Sequence, residues 1–486
     1  MTDGAVIGSC VGLYLALLVA IGVVASRRTR SAKDFFIAGQ GLGLAVTVLA
    51  TMSAAFSGFV FLGGPGFTYA RGLSSLWIVL PIGFTPVLLC QVVGAPLRRL
   101  AGRHTLYTVP DYFQLRYGSR TVSGLAALAI LLGAVAYLAV QVRALAIVAR
   151  TFLPSEYFGV ALALGLLVLV GYSFFGGMKA GVYTDVAQGL LMLVAALALF
   201  AYALSASGGW AALTAGIAGD PRFGPEFLEP LGGFGAVTAF GYFFVFGIGV
   251  LGQPHMLHKF YMIRDPRRLR WLPLALGLGQ SVCLLVWFGV GLAVPALVAA
   301  GRLAAPQRPD DAAALFLLES VPSWLAGLAV AAVLGAIMST ADSFLNIGSA
   351  ALVRDLPRAL GRRVDNELAL GRMAVLLVAL AAAACAALYG DLIAKLGTLA
   401  FGTFAAALAP SLAVGLHWRR VGAGAAGASL VTGLALTLGL ELSPTAGRLL
   451  PAGVLPTQFA LVASFTVLAA WTALGGRSPG AAPTTR

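Results

Sequence analysis

Long apolar runs separated by short basic loops constrain this chain more than any other feature. About thirteen runs are long enough to cross a hydrocarbon layer of about 30 Å, which takes roughly 20 helical residues. They centre on 5–25, 41–68, 75–96, 122–149, 157–175, 183–205, 234–252, 271–299, 323–352, 372–389, 391–416, 421–440 and 456–475. Lipid offers no hydrogen bonds, so the backbone of such a run must satisfy itself, and a helix does that within one segment. The expected fold is therefore an all-α polytopic membrane protein in a cell membrane, with the bilayer as its first partner.

Composition and charge narrow the classes. Hydrophobic residues make up 59% of the 486 and charged residues only 10%, against about 25% charged in soluble domains. A net charge of +14 would otherwise suggest nucleic acid. The basic residues instead sit in short runs between apolar segments, where they orient helices. Of the 32 Lys and Arg, 24 fall in one set of loops and 6 in the other, with Arg143 and Lys395 inside spans. That bias predicts the richer set in the cytoplasm, the N-terminus outside and the C-terminus inside. The four cysteines, Cys10, Cys90, Cys283 and Cys385, are scattered in apolar runs and have no metal or disulfide spacing. MTDG lacks the positive start of a cleaved signal, so the first run is expected to stay as a span. Residues 206–232 and 300–322 read as loops or short helices, and 476–486 as a disordered tail, so no stretch outside the membrane is large enough for a separate soluble domain.

Two polar features interrupt this apolar background. Leu334–Gly348, LGAIMSTADSFLNIG, sets Ser339, Asp342, Ser343 and Asn346 at three- and four-residue steps, one stripe of a helix, with Thr340 beside it. Oxygen-rich side chains at that depth face a bundle interior, a water-filled cavity or an ion. The second and seventh spans are both broken by glycine-rich stretches, Ser53–Gly66 and Gly241–Pro254. Five spans separate their starts, which suggests two five-helix halves of opposite topology meeting at a midplane site. Glycine that merely allows close helix packing is the competing explanation.

Five motifs together carry a resemblance. They are DFFIAGQGLG (Asp34–Gly43), ATMSAAFSGFVFLGGPGFTYARG (Ala50–Gly72), GGMKAGVYTDVAQG (Gly176–Gly189), GQPHMLHKFYMI (Gly252–Ile263) and AIMSTADSFL (Ala336–Leu345). In this order they resemble the sodium/solute symporter family, which includes proline, pantothenate and acetate carriers. The resemblance implies a five-plus-five inverted-repeat core of the leucine-transporter type. It assigns 1–33 to an extra first helix and loop, 34–205 to the first repeat, 234–420 to the second and 421–475 to two further helices.

The resemblance also implies a sodium site made of the backbone carbonyls of Ser53, Phe56 and Ala336 and the hydroxyls of Ser339 and Thr340. Neutral oxygens suit a hard cation that must also leave. The rival for the two hydroxyls is a bond to a carbonyl one turn earlier on their own helix. Where proline carriers have an aspartate in the break, this chain has Ala55. Asp185, Asp342 and Ser343 resemble a further cation site, for sodium or a proton, since two buried carboxylates repel unless a cation lies between them. The alternative pairs Asp185 with a loop base such as Lys179.

A substrate site beside the sodium would draw on Ser57, Gly58, Tyr242, Phe246 and Gly247 at the two breaks. Tyr137 and Gln141, four apart in the fourth span, resemble a family pattern. Arg143 is either a fork for a substrate carboxylate or a structural residue that pairs with an acid or snorkels. His255, His258 and Lys259 suggest a gate or an interfacial anchor. The expected function is sodium-coupled import of a small organic solute, a monocarboxylate, pantothenate-like or proline-like molecule. Proton coupling and a transporter-like sensor are the alternatives. No nucleophile–base pair, metal cluster or P-loop marks an enzyme.

Overall fold

The computed structural model describes residues 3–27, 42–152, 158–388 and 393–475, and these are overwhelmingly helical. Among them the one pairing of extended backbone outside helices is a bridge between Leu42 and Ile263. Most of the Asp34–Gly43 motif and the whole tail 476–486 lie outside the described residues. The elements used below are α1 (Asp3–Ser26), α2 (Leu44–Ala55), α3 (Gly64–Arg71), α4 (Val109–Tyr117), α5 (Arg120–Phe152), α6 (Phe158–Ala206), α7 (Gly235–Gly249), α8 (Pro254–Tyr261), α9 (Leu272–Ala299), α10 (Ala312–Glu319), α11 (Ser323–Ala350), α12 (Glu367–Leu388), α13 (Ile393–Ala409), α14 (Ala423–Leu442) and α15 (Pro456–Leu474).

Eleven helical stretches among the described residues are long and apolar enough to cross a membrane. The difference from thirteen has a physical origin in two places. Phe59–Arg103 is one helical stretch of 45 residues, about 68 Å if it were straight and over twice the hydrocarbon thickness. It cannot run straight, because Gly72 turns it with φ +62°. A side chain there would also meet the Phe227 carbonyl at 2.0 Å. In the same way α6 holds 49 helical residues and contains both predicted spans 157–175 and 183–205.

Burial divides the helices into core and jacket. In α11 and in the stretch that begins with α13, 89% of the most apolar window is buried, against 17% in α1 and 28% in α12 and α15. Helix α11 packs against α1, α5, α6 and α12, and α13 against α5, α7, α14 and α15. The exposed large hydrophobics lie on the jacket, for example Leu13, Leu380 and Val462, where lipid is the solvent.

Both predicted interruptions are present. Helix α2 stops because Phe56 is extended, with φ −99° and ψ 133°, and regular winding resumes through a π-turn over Phe59–Gly63. Gly58 allows this break to press on α5: a Cβ there would lie 2.4 Å from the Ala144 Cβ. The second break runs through Val250–Gly252 to Gln253, at φ −77° and ψ 101°. The Gln253 side-chain amide donates to the carbonyls of Gly249 at 3.2 Å and Phe401 at 3.0 Å, tying that break to α13.

The connection between α9 and α11 lies over one end of this core. Its Pro309 carbonyl approaches Gly66 of α3, where a Cβ would sit at 2.5 Å. Asp310 is 6% exposed, and its Oδ2 accepts the Ile393 N–H at the start of α13 at 2.9 Å. Next to it, Asp311 bonds Arg150 of α5 at 2.6 Å. Burial pushes the Asp310 carboxyl up to about 6; the Ile393 N–H and then the Arg143 charge pull the other way.

Two outcomes follow. Gly58→Ala is expected to cost about 1–3 kcal/mol through overpacking, seen as a lower melting midpoint in detergent, whereas Gly43→Ala, with nothing within 4 Å, leaves it unchanged. For Asp310 the folded chain holds its proton more tightly than the unfolded chain. Its contribution to stability is present below about pH 4 and is lost as pH rises to about 6, at up to about 3 kcal/mol. Melting curves of Asp310→Asn across that window should lose this decline; an unchanged pH profile would refute the assignment.

Candidate ion and substrate site

At the break after α2, where the Phe56 N–H is shared between the Met52 and Ser53 carbonyls, α11 supplies further donors. Ser339 Oγ donates to the Ser53 carbonyl at 2.8 Å and lies 3.2 Å from the Ala336 carbonyl. Thr340 Oγ1 donates to the Phe56 carbonyl at 2.8 Å, with the Ala54 carbonyl at 3.3 Å. The five oxygens named from the sequence thus form two buried hydrogen-bonded groups where the break meets α11, one at Ser339 with the Ser53 and Ala336 carbonyls and one at Thr340 with the Phe56 carbonyl. The rival local bond accounts only for the longer Ser339 contact, and Thr340 reaches across to the other helix. A hydroxyl that turns its hydrogen away presents a lone pair in its place, so the cluster can exchange hydrogen bonds for a hard cation.

A second polar cluster lies further along α11. Ser173 donates to Asp342 Oδ1, and Asn346 Nδ2 donates to the same oxygen at 3.0 Å. The carboxylate rests on the backbone of α6 because residue 181 is glycine, where a Cβ would lie 1.7 Å from Oδ2. Asp342 Oδ2, Asp185 Oδ1 and Ser343 Oγ are buried without a hydrogen-bond partner among the described residues. The remaining Asp185 oxygen, Oδ2, bonds the Lys259 ammonium at 2.7 Å. The base recorded at Asp185 is therefore Lys259 of α8; the side chain of Lys179, which the sequence offered as its neighbour, lies outside the described residues.

The histidines and Lys259 do not anchor an interface. Lys259 is 0% exposed and both histidines 2%. The His258 Nε2 is 2.6 Å from the Tyr107 carbonyl. His255 packs against Phe344, ring centroids 4.6 Å apart, and against Tyr137.

Beside the hydroxyl–carbonyl cluster is a cavity of about 100 Å³. Phe56, Tyr137, His255, Gln280, Trp287 and Phe401 are among its lining residues, with Phe246. Phe59, Phe246 and Phe401 stack in series at 5.9 and 4.4 Å, and Trp287 meets Phe59 edge-on at 5.5 Å. This aromatic wall closes off one side of the cavity.

The predicted substrate residues divide by place. Tyr137 and Phe246 line the cavity. Ser57 and Gly58 lie in the adjoining break, which Gln141 of α5 braces: the Gly58 N–H donates to Gln141 Oε1 at 3.1 Å, and the Phe59 N–H donates to Ser57 Oγ at 3.2 Å. Tyr242 instead packs with Phe67 and Phe234, and Gly247 packs close to Phe84 and Pro81. Arg143 is not among the lining residues; its guanidinium contacts the Ala386 carbonyl of α12 at 3.5 Å and acts electrostatically on Asp310. His255, Gln280 and Trp287 were not legible as cavity residues. Gln280 offered the one usable signal, an isolated amide in an apolar run.

Comparison with known proteins identifies relatives of the chain and of its fold. The sodium:solute symporter family matches residues 35–433. The osmoregulated proline transporter OpuE of Bacillus subtilis is 28% identical over 470 residues, covering 93% of each chain. The sodium/proline symporter of Escherichia coli is 30% identical over 448 residues, covering 88% of this chain and 86% of its own. Among solved structures, a Na+-coupled sialic acid symporter in a substrate-bound outward-open state is similar with a TM-score of 0.78 over 96% of this chain and 98% of that one, at 17% identity. The nucleobase-cation-symport-1 transporter MHP1 follows at 0.53, 13% identity, 91% of this chain and 96% of that one. These two likenesses establish a shared transporter fold. By the extent of its match and by its relatives, this multi-pass membrane protein belongs to the sodium:solute symporter family.

Proposed function

We propose that the chain is a secondary active symporter that uses sodium to import a small carboxylate-bearing solute, a proline-like amino acid first among them. The observation that carries this reading is the pairing of the Ser339 hydroxyl with the Ser53 and Ala336 carbonyls and of the Thr340 hydroxyl with the Phe56 carbonyl at the helix break. Sodium bound there would hold α2 and α3 in the shape that forms the cavity wall, and thereby favour solute, which by linkage favours sodium. The cavity of about 100 Å³ supports a small solute over a bulky one. Proline relatives point the same way. Ala55 leaves the site without a carboxylate, so neutral oxygens alone would hold the ion.

The finer architecture belongs to the same proposal. Thirteen spans, with repeats over 34–205 and 234–420 and two more helices over 421–475, fit the two breaks and the turn at Gly72. The basic loops put the N-terminus outside and the C-terminus in the cytoplasm. Asp185, Asp342 and Ser343 form a second monovalent cation site, for sodium or a proton, supported by their unpartnered buried oxygens. Rocking of the repeats would then expose the sites alternately. One sodium moving down about 100 mV yields roughly 2.3 kcal/mol, and each tenfold gradient adds about 1.4, enough for several hundredfold accumulation.

The test is uptake of labelled L-proline, acetate and pantothenate into proteoliposomes with and without a sodium gradient. Sodium-dependent, saturable uptake of one of them is expected, and uptake indifferent to sodium would sink the reading. Thr340→Val and Ser339→Ala should each raise the half-saturating sodium concentration about tenfold, since one lost ligand costs about 1.4 kcal/mol; Thr340→Ser should stay near wild type.

A further inference from the structure

Lys259 has no place in the transport scheme above, yet it is among the costliest side chains in the protein. Its side chain is 1% exposed and, among the described residues, its charged contact is Asp185 Oδ2 at 2.7 Å. The other contact recorded for the ammonium is the Met178 thioether, at 3.9 Å, a weak acceptor. Burying an ammonium costs several kcal/mol unless an anion is paired with it, so the lysine and Asp185 depend on each other. Asp342 lies within the electrostatic reach of both.

Charge counting then becomes informative. Among the described residues, two carboxylates with one ammonium leave a single negative charge in a buried cluster. Three oxygens there, Asp185 Oδ1, Asp342 Oδ2 and Ser343 Oγ, are without partners among the described residues. An ammonium and a sodium ion ask the same thing of this cluster: one positive charge and oxygen neighbours. The lysine differs in being tethered to α8, directly after the second break, while Asp185 is on α6 and Asp342 on α11.

We propose that the Lys259 ammonium is a built-in cation of the Asp185–Asp342 pair, so that this pair holds one exchangeable monovalent cation and not two. Lys259 thus sets the ion stoichiometry without touching the solute. This rests on the second-cation reading given above, and the two can fail separately. Because α8 follows one break and α11 faces the other, the tether also links cation occupancy at the pair to the position of the half-helix after the second break.

The experiment counts cations. Bound radiolabelled sodium per chain, together with protons exchanged in weak buffer on adding sodium, is measured on the full-length protein in detergent. Relative to wild type, Lys259→Met should hold one more cation, Asp185→Asn one fewer, and the double variant the same number, while Lys259→Arg matches wild type. If Lys259→Met alone does not fold, Asp185→Asn against the double variant gives the same difference. A structural ion pair would shift thermal stability without moving these counts, so counts that stay constant when the ammonium is removed overturn the proposal, as does a Lys259→Arg count that departs from wild type as far as Lys259→Met. A wild-type total of one cation would reject the second-cation reading, and the gain on removing Lys259 would still decide the role of the lysine.

Discussion

An interrupted helix leaves carbonyl oxygens without their helical donors, and inside a membrane a neighbouring helix has to supply them. Much of this structure follows from how that need is met at two places. After α2 the donors are hydroxyls of α11, which can turn away and offer lone pairs instead. After α7 the donor is the amide of Gln253, which bonds two carbonyls at once. The first break therefore suits exchange with an ion, while the second is tied to α13.

Meeting those carbonyls requires α11 to lie against the break, and close approach requires small residues. Glycine at position 58 brings the break onto α5, and glycine at 181 lets Asp342 rest on α6. The price of this packing is a buried set of charges between α6, α8 and α11. Lys259 offsets one of the two carboxylates, and among the described residues the other, Asp342, is met there by Ser173 and Asn346. At the opposite boundary, Asp310 reaches the first N–H of α13 and Asp311 reaches Arg150, so the connection over the core is fixed at both carboxylates. Arg143 belongs to that electrostatic neighbourhood, which fits its structural reading better than a solute fork.

Much of this was legible in the chain. Run length and loop charge indicated a membrane protein of many helices, and glycine-rich stretches marked both breaks before any coordinates. The hydroxyls of Ser339 and Thr340 stood out because polar side chains are costly at that depth. What the residues could not show was how helical runs subdivide: α6 is continuous through two predicted spans, since no proline interrupts it and its glycines do not end the helix. Nor could spacing show that His255 and Gln280 meet at one cavity, or that Tyr242 belongs to an aromatic cluster with Phe67 and Phe234.

The sequence by itself determined the medium, the helices, the two interruptions and the hydroxyl stripe, because each depends on residues within a few turns of one another. The tertiary structure decided the partners. Thr340 meets the Phe56 carbonyl across 284 positions, and Lys259 meets Asp185 across 74. Such pairings arise from which helix faces pack together, and a helical period reveals a polar face without naming the face opposite it. For that reason Asp185 could be recognised as needing a cation, while only the fold showed that the chain itself provides one.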